Sequence, residues 1–373
     1  MPYELNCKIK SFIESKKMHD LDEIELIIGN SGRNFSGVTS VTIQLLNYQA
    51  KEFKLAVLGS AFIPDNFRTI NFYQFIKLTR KALSSGKHKV FFTRRNDEMI
   101  QGLVAKYIFG SKMKIIFLST AQRNHTKFTK WLISKMDSIV STSVKAASYL
   151  VDKPDIIIPH GIDLNRFSLP KDKQESWAKL NLPGNLGIGI FGRVRYSKGI
   201  DILVNAAIKI LPNYPEATVV ICGETQVEDM PYKNKMENKI KNANLDNRII
   251  FLGKKTFEEL PRFFKGMTIV AALSRKEGYG LTPLEGMASG AAVLTSSEGI
   301  WDEIIRDGID GYVVDTDDID QTTEKLDLLI KNSSKTKIMG ENAAKYISEN
   351  FSIETEAKKL IDHIKHVQNT KIK

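Results

Sequence analysis

A chain of 373 residues is long enough for two domains, each with its own core. Hydrophobic content of 42% and charged content of 26% exclude a disordered or low-complexity chain, and no run approaches the roughly 20 apolar residues needed to cross a bilayer. The net charge of +11 is concentrated: residues 1–168 hold 25 Lys and Arg against 14 Asp and Glu, residues 169–373 hold 29 of each, and residues 77–130 alone hold 13 basic and 2 acidic side chains.

The basic N-terminal half suits an anionic partner: a phosphorylated glycolipid, an acidic membrane leaflet or nucleic acid. A lysine-rich solvated surface reads equally from the same residues. Cys7 and Cys222 are too few and too distant for a disulfide framework, which points to a reducing cytoplasm. The N-terminus, MPYELNCKIKSFIESKK, has no apolar signal core, so the sequon Asn34-Phe35-Ser36 is expected to carry no glycan.

In chain order, residues 24–28 read as the first strand, residues 29–37 as a glycine-bearing loop, and residues 38–50 as an amphipathic helix with Val41, Leu45 and Leu46 on one stripe. Strands follow at 54–58 and 90–93. The latter runs into Arg94-Arg95-Asn96 and a helix over 97–109. Ligands of open α/β sheets sit beyond the carboxyl ends of strands. Arg94 and Arg95 are therefore placed to hold a phosphate or carboxylate, or else form a surface pair neutralised by Asp97 and Glu98. A strand at 114–118 ends in the segment carrying Arg123 and His125. A short strand and serine turn at 137–143 lead to a helix over 144–151. Residues 156–167 (IIIPHGIDLNRF) read as a last strand with a glycine turn, in which His160 only fills the turn, and residues 168–176 as a polar linker.

The second half opens with an apolar strand at 186–191, then Gly192-Arg193-Val194-Arg195-Tyr196-Ser197-Lys198-Gly199 and a helix over 200–211. Two cations beside a helix N-terminus can stabilise charge on a departing phosphate. Strands at 217–222 and 248–252 are each followed by a glycine, Gly223 and Gly253. A buried strand at 267–273 leads into SRKEGYGLTPLEGMASGAA (274–292), where Glu277 and Glu285 are separated by seven residues. Between them, Gly278-Tyr279-Gly280-Leu281 and a helix start aim backbone N–H groups at an anion, and Pro283 costs nothing in the first turn. Carboxylates repel phosphate but accept hydrogen bonds from hydroxyls. The implied ligand is a phosphate carrying polyols on both sides, which describes a nucleotide sugar. A strand at 291–295, a helix starting within 296–305 and a final helix over 353–367 complete the chain. Asp315, Asp317 and Asp318 read as helix capping rather than a metal site.

The Glu277–Glu285 frame around GYGL resembles the signature of the large retaining glycosyltransferase family with GT-B architecture. Arg193 and Lys198-Gly199 after the first strand of the second half support it, as do Pro159, Gly161, Ile162, Asp163 and Phe167 at the crossing. The resemblance implies an α/β fold of two Rossmann-like domains facing a cleft. It assigns residues 1–168 to acceptor binding, residues 177–352 to nucleotide-sugar binding, and a C-terminal helix, about 353–373, to crossing back onto the first domain. It further implies that Gly192, Arg193, Lys198 and the amides of Gly278–Leu281 hold the diphosphate without metal or other cofactor. Glu285 would then take the ribose and Glu277 the transferred sugar, with His125 matching a family histidine near the sugar. Gly37, Arg94, Arg95 and Arg123 would face the acceptor. SGVTS (36–40), RRNDEM (94–99) and AQRNHTKFTKWL (121–132) resemble bacterial lipopolysaccharide core mannosyltransferases. This implies GDP-mannose as donor, an anionic glycolipid acceptor, and a cytoplasmic protein peripheral on the inner membrane through the basic residues of 77–130. A glucosyl- or galactosyltransferase using a UDP-sugar is the near alternative. A nucleic-acid-binding protein, which lacks its expected motif here, and a non-catalytic nucleotide-sugar sensor are the remoter ones.

Overall fold

The computed structural model describes residues 22–32, 37–121 and 123–370. Residues 33–36 lie outside this set, and with them the Asn34-Phe35-Ser36 sequon and Ser36 of SGVTS, as does the N-terminal stretch with Cys7. The chain forms two compact units, residues 1–160 with 353–373, and residues 161–352.

The first unit is built on a seven-stranded sheet in the order β3-β2-β1-β4-β5-β6-β7. Its strands are β1 (Leu26–Gly29), β2 (Leu55–Leu58), β3 (Thr69–Ile70), β4 (Val90–Thr93), β5 (Lys114–Ser119), β6 (Ser138–Ser141) and β7 (Ile156–Ile157). Every pairing is parallel. The runs LIIG, VFFT and KIIFLS are buried along their length, as strands covered by helices on both faces must be. The last helix, Ile353–Asn369, belongs to this unit. Its buried Ile353, Ala357, Leu360, Ile364 and Val367 recur at helical spacing and pack on the Gly37–Glu52 helix. Polar ties fix its register: Tyr48 to Glu354 at 2.7 Å, and Ser138 to His363 at 2.8 Å. His160 does more than fill its turn. Its Nδ1 lies 2.7 Å from Glu356 of that helix, with both side chains buried.

The second unit carries a six-stranded parallel sheet, β10-β9-β8-β11-β12-β13. Its strands are β8 (Leu186–Phe191), β9 (Ala217–Cys222), β10 (Ile249–Gly253), β11 (Met267–Ala272), β12 (Ala292–Ser296) and β13 (Gly311–Val314). The reading of 168–176 as a loose polar linker needs correction. A helix, Lys173–Ala178, begins inside it, and its Trp177 is buried over β8. There Gly187 leaves room for the ring, since a Cβ would come within 2.3 Å of it. Likewise, the helix expected within 296–305 is confined to Trp301–Ile304. Two parallel-sheet Rossmann-like domains in one α/β chain are the fold that the resemblance implies.

Candidate active site

In an open parallel sheet the chain leaves the two central strands in opposite directions, and the loops beyond their carboxyl ends part to leave a crevice. In the second unit those strands are β8 and β11, which pair directly. The loops that follow them are 192–199 and 273–280, so the two motifs distant in sequence meet at one point. Gly199, at φ +66°, allows the approach: a Cβ there would fall 1.9 Å from the Leu273 carbonyl oxygen. The Arg275 N–H donates to the Ser197 carbonyl at 2.9 Å and ties the loops together.

At this junction the Lys198 ammonium forms an ion pair with Glu277 Oε2. Ser274 Oγ donates to the same oxygen at 3.1 Å, and the Gly278 N–H donates to Glu277 Oε1 at 2.8 Å. Gly192, at φ +130°, passes close to the lysine, whose Cε would lie 3.9 Å from a Cβ at that position. Arg193 is exposed beside it. The lysine, the glutamate and the glycine turn predicted to act together are thus brought together.

Behind the pair stands a group that sequence reasoning passed over. Arg275 grips Asp201 through both guanidinium ends, at 2.9 Å each, and reaches Asp317 at 2.6 Å. It also lies 3.7 Å over the Tyr196 ring. Tyr232 donates to Asp201 at 2.7 Å. Burial works against the charged guanidinium, but the hydrogen bonds to Asp201 and Asp317 outweigh it and hold Arg275 above its ordinary range. This network clamps the 196–201 turn and thereby aims Lys198. Nothing in the sequence marks Arg275, because its partners Asp201 and Asp317 stand 74 and 42 positions away. Of the three aspartates read as capping, Asp318 does cap, accepting from the Gln321 N–H at 2.8 Å, while Asp317 serves Arg275.

The helix Leu281–Ala288 starts at Gly280, whose φ of +76° is in the left-handed region. Its carbonyl accepts from Trp301 Nε1 at 2.9 Å, and a Cβ would sit 2.5 Å from that nitrogen. The buried indole therefore sets where the amides of Gly278–Leu281 point. Tyr279 is itself buried, so it serves this turn through its backbone. On the second turn of the helix, burial pushes the Glu285 carboxyl up to about 7, opposed only by Arg166. Arg166 packs 3.3 Å over the Phe257 ring and keeps Nη1 without a hydrogen-bond partner among the described residues. Arg166 lies within the 156–167 run, and nothing in the sequence links it to Glu285, which the fold brings near it.

In the first unit the strand order reverses between β1 and β4, and the segments after them carry Gly37, Arg94 and Arg95 of the predicted acceptor residues. Glu98, considered only as a neutraliser, is their organiser. Only 2% exposed, it accepts from the Ser31 N–H at 3.1 Å, Ser31 Oγ at 3.0 Å and the Arg94 N–H at 2.7 Å. The Arg94 guanidinium lies 4.7 Å over the Phe92 ring, with Nε and Nη1 buried and unpartnered among the described residues. Burial lowers it to about 10, against the pull of Glu98 and Glu356. Arg95 packs its guanidinium against Gly32, where a Cβ would fall 1.9 Å from Nη1. Gly37 opens the Gly37–Glu52 helix. Arg123 and His125 sit on the loop between β5 and the Lys127–Ile133 helix. The His125 imidazole has Nε2 buried without a partner among the described residues, and burial, then Lys130 and Arg123, lower its pKa.

Residues 172–346 match the glycosyl transferases group 1 family. The chain is 36% identical over 341 residues to the lipopolysaccharide core biosynthesis mannosyltransferase LpcC of Rhizobium leguminosarum bv. viciae, covering 91% of this chain and 96% of that protein. It is 33% identical to the enzyme of the same description, LpsB, of Rhizobium meliloti, covering 91% and 97%. Among solved structures, a glycosyltransferase from Rickettsia africae superposes with a TM-score of 0.79 over 93% of this chain and the whole of that one, at 18% identity. The last likeness speaks for the fold alone. Taken with the paired loops of the second unit, the near-full-length relatives place this chain in the glycosyl transferases group 1 family, as a glycosyltransferase of GT-B fold.

Proposed function

We propose that the chain moves mannose from GDP-mannose to the core of lipopolysaccharide, with retention at the anomeric carbon and without a metal ion. The observation that carries the reading is the Lys198–Glu277 pair, held at the carboxyl ends of β8 and β11 next to the Gly278–Leu281 amides. The sugar and acceptor are proposed from the two rhizobial relatives, whose descriptions name both the mannosyl group and the lipopolysaccharide core.

In this reading the bond between the anomeric carbon and the diphosphate breaks, and Lys198, Arg193 and the helix-start amides take up the charge. Protein cations do there what a divalent ion does elsewhere. The acceptor hydroxyl attacks the same face and passes its proton to the departing phosphate oxygen. Glu277 then orients the sugar hydroxyls, Glu285 accepts from the ribose, and His125 contacts the sugar. Arg94, Arg95, Arg123 and the Gly37 backbone serve the acceptor, whose charge suits an arginine with unpartnered donors. In this reading the protein acts on a lipid-linked acceptor at the cytoplasmic face of the inner membrane, held by basic residues of 77–130.

A thermal-shift panel of GDP-mannose, UDP-glucose and UDP-galactose, run in EDTA, tests donor and metal together. A shift with GDP-mannose alone is expected, and a ligand at 100 times its Kd adds about 2.7 kcal/mol. A shift confined to UDP-sugars replaces mannose with glucose or galactose, and no shift without added metal overturns metal independence.

A further inference from the structure

Arg166 stands in the turn that opens the second unit, closed by the Asp163 carbonyl, which accepts from the Arg166 and Phe167 N–H groups. The next side chain anchors it. Phe167 meets Phe264 edge-on, with ring centroids 5.4 Å apart, in the same apolar cluster as Leu284 and Met287 of the Leu281–Ala288 helix. From that anchor Arg166 reaches the loop after β10. There Nη2 donates to the Phe257 carbonyl, and the guanidinium lies 3.3 Å from the centre of the Phe257 ring. These contacts fix the plane of the guanidinium and are enough to brace the loop. They leave Nη1 over: it is buried and has no hydrogen-bond partner among the described residues. A buried donor on a cation, left unpaired, is costly, and marks a place where an acceptor oxygen belongs.

Three carboxylates act on this cation: Asp163 from its own turn, Glu258 beside Phe257, and Glu285 from the helix. Asp163 Oδ1 already accepts from the Asn165 N–H at 3.0 Å, and Glu258 is exposed to water. Glu285 is buried in the fold with Arg166 as the one charge acting on it. We propose that Arg166 is a positioning residue for the donor: as ribose hydroxyls come to donate to Glu285, Nη1 answers the carboxylate charge and keeps that side chain ionised and aimed. Hydrogen bonds to an ionised carboxylate are about twice as strong as those to a neutral one. Ionising a buried carboxyl with no cation beside it would cost more than they return. The proton that Glu285 gives up passes to the solvent, so donor binding and proton release are one event. The proposal rests on the reading of Glu285 as the ribose acceptor and adds what makes its carboxylate available near neutral pH.

Titration calorimetry of the full chain with GDP-mannose and UDP-glucose, in buffers of different ionisation enthalpy, counts the protons released per donor bound. The diphosphates of these sugars hold no proton near neutrality. With a free carboxyl titrating at about 7, the parent should release about nine-tenths of a proton at pH 6 and about a tenth at pH 8. Glu285→Gln should release none, which separates this proton from one leaving His125. Arg166→Gln should release less than about half as much at pH 6 and bind the donor about tenfold more weakly there, recovering as pH rises. Arg166→Lys keeps a cation without the planar stack on Phe257. It should therefore keep the proton release even where it loosens the loop and melts lower. Added to Glu285→Gln, Arg166→Gln should change donor affinity by less than about twofold, since no charge is left to answer. A release unchanged in Arg166→Gln, a loss of affinity equal at pH 6 and pH 8, or an effect of the same size in the Glu285→Gln background overturns the proposal and leaves Arg166 a brace of the Phe257 loop. Donor binding to the parent with no proton released also overturns it, while the transferase reading stands. Absence of binding by either nucleotide sugar overturns both.

Discussion

At the scale of single residues, two charged groups of the second unit lead to opposite kinds of test. Lys198 is already bonded to Glu277, which keeps Ser274 and the Gly278 N–H when the lysine is removed. The pair is largely buried, at 22% and 16% exposed, so Lys198→Ala should lower the melting temperature modestly, with the Ser274 hydroxyl and the Gly278 N–H still on the carboxylate. It should lower kcat by roughly 10²–10³-fold, the usual cost of losing one group that meets developing charge. A normal kcat would remove Lys198 from the mechanism. Glu285 is the reverse case. Its folded carboxyl titrates at about 7 against an ordinary 4.5, so the folded chain holds this proton when the unfolded chain has lost it. That contribution is complete below pH 4.5 and is lost as pH rises through 7. Glu285→Gln should raise the melting temperature at pH 8 and leave it unchanged near pH 4. Hydroxyls donating to the carboxylate would favour its ionised form. Donor affinity should accordingly tighten from pH 6 to 8 in the parent and stay flat in Glu285→Gln, measured by calorimetry. Of such residues, Lys198, Glu277 and Glu285 were legible because each stands beside a glycine turn or helix start. Arg275 and Glu98 were not, because their partners, Asp201 and Asp317 or Ser31 and Arg94, are set by folding and have no fixed spacing in the chain.

At the scale of elements, the helix Leu281–Ala288 depends on one indole behind it. Trp301→Phe withdraws the N–H from the Gly280 carbonyl and, because the benzene ring is smaller than the indole, leaves a gap at a fully buried site. It should cost about 1 kcal/mol for the hydrogen bond and about as much again for the gap in denaturant unfolding, and raise the donor KM more than it lowers kcat, because the turn amides lose their stop. An unchanged KM would show that the turn holds itself. Most strands of both sheets could be read from continuous apolar runs, but not β3, which is two residues long, nor β13. Helix ends could not: the Trp301–Ile304 helix is four residues long because Ile305 turns to extended backbone, a choice made by packing and not by propensity.

At the scale of the molecule, the first unit is closed by a helix that arrives from the other end of the sequence. Ending the chain after Ser352 removes Ile353, Ala357, Leu360, Ile364 and Val367 from its core and leaves His160 without Glu356. The first unit should then lose its cooperative melting, while residues 161–352, with a core of their own, keep the donor-induced shift. Loss of both would show that neither unit stands alone. The two-unit plan was legible from length and from the repeated strand-glycine-helix pattern. The charge asymmetry lay in the first unit, where residues 77–130 hold 13 basic and 2 acidic side chains.

Lys198 has a further consequence. Inside the chain its charge is already answered by a carboxylate, so any diphosphate that reaches it does so by exchange: one anion displaces another. Such a swap changes the net count of ions little. The salt dependence of nucleotide-sugar binding should therefore be shallow, whereas Glu277→Gln, with the lysine's counter-ion gone, should make it steep. On the proposed reading, the glutamate let go in that exchange would be freed as the donor's sugar, with hydroxyls to donate, comes within its reach.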